Sequence, residues 1–279
     1  MRLNAEVIKL VVTDLDGTLL RSDRTVSDRT RSVVAAVEDA GIPVVPATAR
    51  QRLGVLRLAD QITFRRWALV SNGAVALDLT TGEVLAEATV EPEVQRAVAS
   101  RIREAVPDAT FFAVWQAGSK FACEPAYKEL AAYDDHVRPL SEMVTATLDE
   151  LTSHPANKIG ARSPSLVGRE LWQRVVALEL DVTPGGVAPS HSGAAFVDCA
   201  PAGVSKAWGL ARLCDHLGIG ADEVVAFGDE VNDTEMLAWA GTAVAMPTAP
   251  PEVLALADRV APSNDEDGLA RVLSELLDL

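Results

Sequence analysis

Positive charge is what this chain has little of. Among its 279 residues, 25 Lys and Arg stand against 40 Asp and Glu, a formal net charge of -15 at pH 7. Nucleic acid is excluded as a partner on that ground, because Lys and Arg neutralising phosphates supply most of such affinity, and an anionic membrane is disfavoured for the same reason. Only five of the cations are lysines, so each lysine is worth locating. Cysteine is scarce too. Cys123, Cys199 and Cys214 make an odd count without any CxxC spacing, which argues against a disulfide framework and for reduced thiols in the cytoplasm. Long apolar runs are missing: the first is Val7 to Val12, interrupted by Asp14 and Asp16, too short for a signal-peptide core or a membrane span. The four histidines (His136, His154, His191, His216) show no HExxH or paired spacing. No GxSxG elbow, GxxxxGK[ST] loop or GxGxxG is present, so serine hydrolase, P-loop and dinucleotide-binding readings lack their residues.

What is present is an ordinary globular composition, 48% apolar and 23% charged, at a length that suits one or two domains. Apolar runs of strand length alternate with segments of helical period, the pattern of an α/β protein with a mostly parallel sheet. Strands are expected at Val7 to Thr13, Ile42 to Thr48 and Trp67 to Ser71, with helices at Ser27 to Ala40 and Gln51 to Asp60. The last third repeats the alternation: strand Ala195 to Cys199, helix Ser205 to Leu217, strand Val224 to Gly228, helix Thr234 to Ala240 and strand Thr242 to Met246. Helices near Pro251 to Ala257 and Asp265 to Leu277 complete it. The middle differs, with a hairpin at Thr81-Gly82, a helix Glu93 to Ala105, strands Ala109 to Trp115 and Lys158 to Arg162, and a helix Leu166 to Leu180. Tyr127 to Pro155 yields no elements. The expectation is a doubly wound, Rossmann-like parallel-sheet core at 1–79 and 188–279, with an α+β domain inserted at 80–187 and Pro184-Gly185-Gly186 as its returning hinge.

Two acidic segments stand directly after apolar strands, where ligands bind in an open α/β sheet. The first is Asp14-Leu15-Asp16-Gly17-Thr18-Leu19, with Gly17 allowing a tight turn and two carboxylates held close enough to divide into an ionised and a protonated group. The second is Gly228-Asp229-Glu230-Val231-Asn232-Asp233, whose oxygens are the hard ligands Mg²⁺ prefers; as residues alone they serve equally as a helix cap. Thr48-Ala49-Arg50 ends the second strand with a hydroxyl, backbone N–H groups and a cation, an anion site or a helix cap. Lys206 starts a helix, where a cation opposes the helix dipole unless an anion faces it.

In that order, DxDGT at Asp14, a strand-end Thr48, a helix-start Lys206 and GDxxND at Asp229, the set resembles the haloacid-dehalogenase-like hydrolase superfamily, and most closely its Cof-type phosphatases of subfamily IIB with a C2-type cap. Ser71-Asn72-Gly73-Ala74, Gly203-Val204-Ser205-Lys206, Val244-Ala245-Met246 and Glu266-Asp267-Gly268 add further similar phrases. The resemblance spans roughly residues 5 to 80 and 188 to 275. It implies that Asp14 is a nucleophile forming an aspartyl-phosphate and Asp16 the general acid/base. Thr48, Ala49, Arg50, Lys206 and Asn232 would contact the phosphorylated substrate. Mg²⁺ would be held by Asp14, the Asp16 backbone carbonyl, Asp229 and Asp233. The presence of Asp16 favours transfer to or from an alcohol oxygen. Ala49, Ala207 and Pro247-Thr248 depart from the family pattern, the last expected to reshape a loop near the metal site. The implied activity is hydrolysis of small phosphate monoesters, sugar phosphates being the favoured class, by a cytoplasmic monomer or weak homodimer. A phosphomutase or a non-catalytic phosphometabolite sensor is the alternative. Lys158, Glu124 and Arg162 are the polar candidates for substrate selection in the cap.

Overall fold

The computed structural model describes residues 8–58, 60–62, 64–181 and 185–279. Its first strand, β1 (Leu10–Thr13), is followed by α1 (Asp28–Asp39), β2 (Val44–Pro46), α2 (Arg52–Leu56), β3 (Trp67–Val70), β4 (Val75–Asp78) and β5 (Val84–Glu87). The middle of the chain comprises α3 (Pro92–Ala105), β6 (Thr110–Trp115), β7 (Lys120–Cys123), α4 (Pro125–Leu130), α5 (Tyr133–His136), β8 (Val144–Thr145), α6 (Leu148–Leu151), β9 (Lys158–Arg162), α7 (Arg169–Val176), β10 (Val187–Ser190) and β11 (Val197–Pro201). The chain closes with α8 (Lys206–Leu217), β12 (Val224–Gly228), α9 (Thr234–Trp239), β13 (Thr242–Ala245), α10 (Pro251–Leu254), β14 (Arg259–Val260) and α11 (Gly268–Leu277).

The core is a parallel sheet in the order β14-β13-β12-β1-β2. Its strands are buried on both faces, so alternate residues of β1 serve opposite layers. Val11 packs with Val34, Val37, Leu269 and Leu273 of α1 and α11. Leu10 and Val12 pack on the other side with Leu210, Leu213, Met236 and Leu237 of α8 and α9. A backbone bridge from Ala47 to Leu69 continues the sheet to β3, and the β3-β4-β5 meander extends it antiparallel. The strand order reverses at β1, so the carboxyl ends of β1, β2 and β12 open on one crevice. Asp14, Thr48 and Asp229 stand there.

A second sheet, β10-β11-β9-β6-β7-β8, is antiparallel except for the β7–β8 edge. One face is covered by α3 and α7, with Ile102, Leu171 and Val175 on Phe111, Ile159 and Cys199. The other carries an aromatic cluster of Phe112, Phe121, Tyr127 and Phe196. Gly160 in β9 is obligatory for that cluster, because a Cβ there would lie 2.0 Å from the Phe112 ring.

The α/β class and the parallel core agree with the sequence analysis, while several bounds do not. The second strand is confined to Val44–Pro46, flanked by Pro43, which has no N–H to give. The helix expected to Asp60 ends at Leu56; Asp60 lies in a turn and Ala59 is outside the described residues. The terminal helix starts only at Gly268, where a Cβ would lie 1.9 Å from the Pro262 carbonyl, and Asp267 before it is left-handed at φ 61°. The strand placed at Ala195 to Cys199 is Val197–Pro201, and with β10 it belongs to the second sheet rather than to the returning core. An apolar run tells that a strand is buried but not which sheet recruits it. Of the Pro184-Gly185-Gly186 hinge, Pro184 lies outside the described residues. The unassigned stretch from Tyr127 holds α5, β8 and α6, each four residues or fewer, too short to show a period.

Candidate active site

Each strand end delivers one part of the site. The Asp14 N–H continues the sheet by donating to the Phe227 carbonyl at 2.9 Å, which fixes Asp14 beside the end of β12. The turn after it needs Gly17: its φ is 85°, and a Cβ would meet the Asp229 carboxylate at 2.3 Å. Thr18 then donates from Oγ1 to Asp229 Oδ1 at 2.7 Å. At the first residue of α8, Lys206 is fully buried and donates from Nζ to Asp14 Oδ1 at 2.5 Å and to Asp233 Oδ1 at 2.6 Å. Asp233 in turn accepts from the Asp229 and Glu230 N–H groups at 3.0 and 3.1 Å. The anion that Lys206 needed at a helix start is therefore a pair of carboxylates.

Asp14, Asp229 and Asp233 each offer an oxygen within 4.8 Å of the others. Three carboxylates around a single ammonium leave an excess of two negative charges. Burial pushes Asp14 up to about 7, with Lys206 opposing and Asp233 and Asp16 adding to the rise. Asp229 is driven up to about 8 by burial and by Asp14 and Asp233. Burial alone would lower Lys206, but its two carboxylates outweigh that and raise it, so it stays charged. A cluster that holds protons for want of positive charge, built of hard oxygen donors, fits a divalent cation such as Mg²⁺.

The other expected residues lie around this centre. Asp16, about half exposed, takes the Arg50 guanidinium in a two-pronged contact, Nε to Oδ2 at 2.7 Å and Nη2 to Oδ1 at 2.5 Å. Thr48 is buried and accepts the Arg50 N–H at its Oγ1, 3.1 Å away, so it shapes the 48–50 turn; the first residue of α2 is Arg52, with Gln51 at its cap. Asn232 donates from Nδ2 to Asn72 Oδ1 at 3.0 Å. Asp16, Ala49, Arg50 and Asp229 line a cavity of about 410 Å³ that the second sheet closes from above with Lys158, His136, Phe196 and the Ser192 to Ala195 loop. Arg24 and Asp134, an ion pair, also face it, as does Asp135, which pairs with Arg162.

Of the three cap candidates, Lys158 lines the cavity and Arg162 reaches it through Asp135. Glu124 does not: it holds Arg103 at 2.8 Å and the Phe111 N–H at 2.9 Å, tying the end of β7 to β6 and α3 inside the second sheet. Pro247 and Thr248 are exposed in a turn and do not line the cavity. Thr18 and His136 are among the residues not singled out from the sequence. Thr18 was legible as the last letter of DxDGT, whereas His136 sits in a stretch without periodicity and gave no signal.

An α/β core with acidic strand ends, a buried lysine and a covering second sheet defines a class of phosphoryl-transfer enzymes. The model of the haloacid dehalogenase-like hydrolases matches residues 11–273, and the chain belongs to that family, as a Cof-type hydrolase. It is 28% identical to a "Putative phosphatase" of Haemophilus influenzae, over 96% of this chain and 97% of that one. It is 26% identical to the 5-amino-6-(5-phospho-D-ribitylamino)uracil phosphatase YitU of Bacillus subtilis, over 97% and 98%. A haloacid dehalogenase-like hydrolase from Bacteroides thetaiotaomicron superposes with a TM-score of 0.75 at 26% identity, covering 96% of this chain and 99% of that one. The protein is an enzyme, a phosphoric monoester hydrolase. Among the described residues no helix is long and apolar enough to cross a membrane.

Proposed function

We propose that this enzyme is a Mg²⁺-dependent phosphatase of small phosphate monoesters, sugar phosphates and related polyol phosphates foremost, working through an aspartyl-phosphate on Asp14. The observation that carries the reading is the buried Asp14–Lys206–Asp233 contact set beside Asp229 at the carboxyl ends of the sheet. In the first step an Asp14 oxygen attacks phosphorus, the ester P–O bond breaks, and Asp16 gives a proton to the departing alkoxide. In the second, water attacks the aspartyl-phosphate, Asp16 takes its proton, and Asp14 is freed as carboxylate with inorganic phosphate.

Phosphoryl transfer asks mainly for positioning and charge neutralisation. Lys206 holds Asp14 in place and lowers the repulsion between a carboxylate and a dianionic phosphate. The Arg50 guanidinium, parked on Asp16, lines the cavity as a cation that a phosphoryl group can recruit, with Thr48 and the Ala49 backbone beside it; Asn232 does not line the cavity and is tied to Asn72 instead. Asp14, the Asp16 carbonyl, Asp229 and Asp233 would hold Mg²⁺, with Thr18 keeping Asp229 in place. When bound, the ion neutralises phosphoryl charge as a Lewis acid.

The second sheet, with its helices, serves as the cap that admits and selects the leaving group, and so residues from about 90 to 201 form the specificity domain in place of the expected 80–187, because β5 pairs with β4 beside the core and β10 and β11 pair with β9. The favoured substrate class follows the Bacillus relative, named for a phosphorylated ribityl chain. A cytoplasmic location as a monomer or weak homodimer suits the three buried free thiols and a small-molecule substrate. The test is phosphate release from a panel of metabolite phosphates. Mg²⁺ should support release and excess EDTA should abolish it. Full activity in chelator would end the metal assignment, and turnover without free phosphate would favour a mutase.

A further inference from the structure

Two buried ions lie between the cap and the catalytic core without belonging to the catalytic cluster. Lys158 opens β9 and Asp198 is in β11, each 2% exposed. Antiparallel pairing sets Asp198 opposite Gly160, so Lys158, two residues away on the same face, is its diagonal neighbour. Nζ of Lys158 donates to Asp198 Oδ2 at 2.7 Å and also crosses to the core, to the Ala49 carbonyl at 3.0 Å. Ala49 is the middle residue of the turn that presents Thr48 and Arg50.

The same Asp198 oxygen is approached by Asn72 Nδ2 at 3.4 Å, which also donates to Ser190 of β10 at 3.1 Å, while Asn72 Oδ1 accepts from Asn232. Asn72 is buried in the left-handed region, φ 56°, next to Ser71 at 53°. A conformation uncommon outside glycine, adopted twice in succession in the interior, is held by what the Asn72 amide reaches on both sides. A continuous hydrogen-bonded chain, buried in its middle, therefore runs from the Ala49 carbonyl through Lys158, Asp198 and Asn72 to Asn232. It begins next to Thr48 and ends next to Asp233, and its middle lies in the cap sheet.

We infer that the Lys158–Asp198 pair is a positioning device that ties the cap sheet to the phosphoryl-binding turn. Through the Ala49 carbonyl, Lys158 sets where Thr48 and Arg50 stand relative to Asp14 when the cap is closed. The pair rests on the phosphatase reading of the site but goes beyond it, since neither residue touches the reacting atoms. A buried ion pair is a poor source of net stability, because desolvation offsets its attraction; what it does impose is a defined geometry.

The test uses p-nitrophenyl phosphate with Mg²⁺, whose aryl leaving group makes little demand on selective cap contacts. Lys158→Met keeps the length of the side chain but leaves Asp198 buried without a countercharge. The double variant Lys158→Met/Asp198→Leu removes both charges. The single variant should lose thermal stability and the double variant should regain most of it. In both, kcat should fall roughly tenfold to a hundredfold, the scale expected for misplacement of about 1 Å. Orthovanadate should bind more weakly in both, since it reports the phosphoryl-binding turn without turnover. If the double variant regains kcat along with stability, the pair is only structural and the inference fails. If kcat with the aryl substrate holds while KM for sugar phosphates alone rises, Lys158 contacts the leaving group and the positioning role is overturned. A native enzyme inert toward every phosphate ester would instead overturn the phosphatase reading.

Discussion

At the scale of single residues, the centre of this enzyme is short of positive charge, and that shortage has a measurable signature. Asp14 and Asp229, raised to about 7 and about 8, keep protons in the folded protein that the unfolded chain gives up near 4. Over that interval the native state binds more protons than the unfolded one, so in EDTA these groups make stability fall as pH rises from about 4 toward 8. Binding of Mg²⁺ must displace those protons, so the ion adds more stability at pH 8.5 than at pH 5.5. Thermal melts at the two pH values, with EDTA and with Mg²⁺, should show a rise in Tm on adding Mg²⁺ that is larger at the higher pH. An equal rise at both would mean that the cluster does not take up the ion. Asp14→Asn, which removes one charge from the crowd, should melt no lower than the native protein in EDTA at pH 8.5 while losing turnover by several orders of magnitude.

At the scale of elements, the site depends on how closely β1 and β12 bring their loops together. Gly17 is the point of nearest approach. Gly17→Ala puts a Cβ into the space of Asp229 and strains a turn at positive φ, so kcat should fall at least a hundredfold while most of the fold's stability is kept; unchanged kcat would show that Asp229 can retreat without cost. The elements carrying chemistry were the ones legible in the chain. β1, α8, β12 and α9 announce themselves by apolar runs or helical period, and the acidic motifs after β1 and β12 are local in sequence. The contacts between the motifs are not local: Lys206 meets Asp14 192 positions away. The short elements of the middle, such as α5 with His136, have neither an apolar run nor a helical period to detect. Sheet membership was the other blind spot, because β11 has the apolar pattern of a core strand but finds its partners, β9 and β10, in the cap.

At the scale of the whole molecule, the second sheet lies over the core and closes the cavity, and the charged residues it turns to the cavity are paired: Lys158 with Asp198, Asp135 with Arg162, and Asp134 with Arg24 of the core. The proposed cap must open to admit a substrate, and a ligand that binds a closed form better shifts the population toward it. Limited proteolysis should cut near the passages between core and cap, at about residues 88–90 and 202–205, and fluoroberyllate with Mg²⁺ should slow that cutting. Cleavage at the same rate with and without the analogue would count against closure.

In the proposed mechanism the phosphoryl group passes through Asp14 with Asp16 as its acid and base, and one variant exposes both halves. Asp16→Ala should lose roughly 10² to 10⁴-fold on alkyl phosphates, whose leaving oxygen needs a proton. With p-nitrophenyl phosphate the first step needs no such proton, and the second, which needs a base for water, stalls. Rapid mixing should show a burst of about one nitrophenolate per enzyme and then a slow steady rate, and acid quench followed by peptide mass spectrometry should find the phosphoryl group on Asp14. No burst, equal losses on aryl and alkyl esters, and no phosphorylated Asp14 peptide would contradict the account.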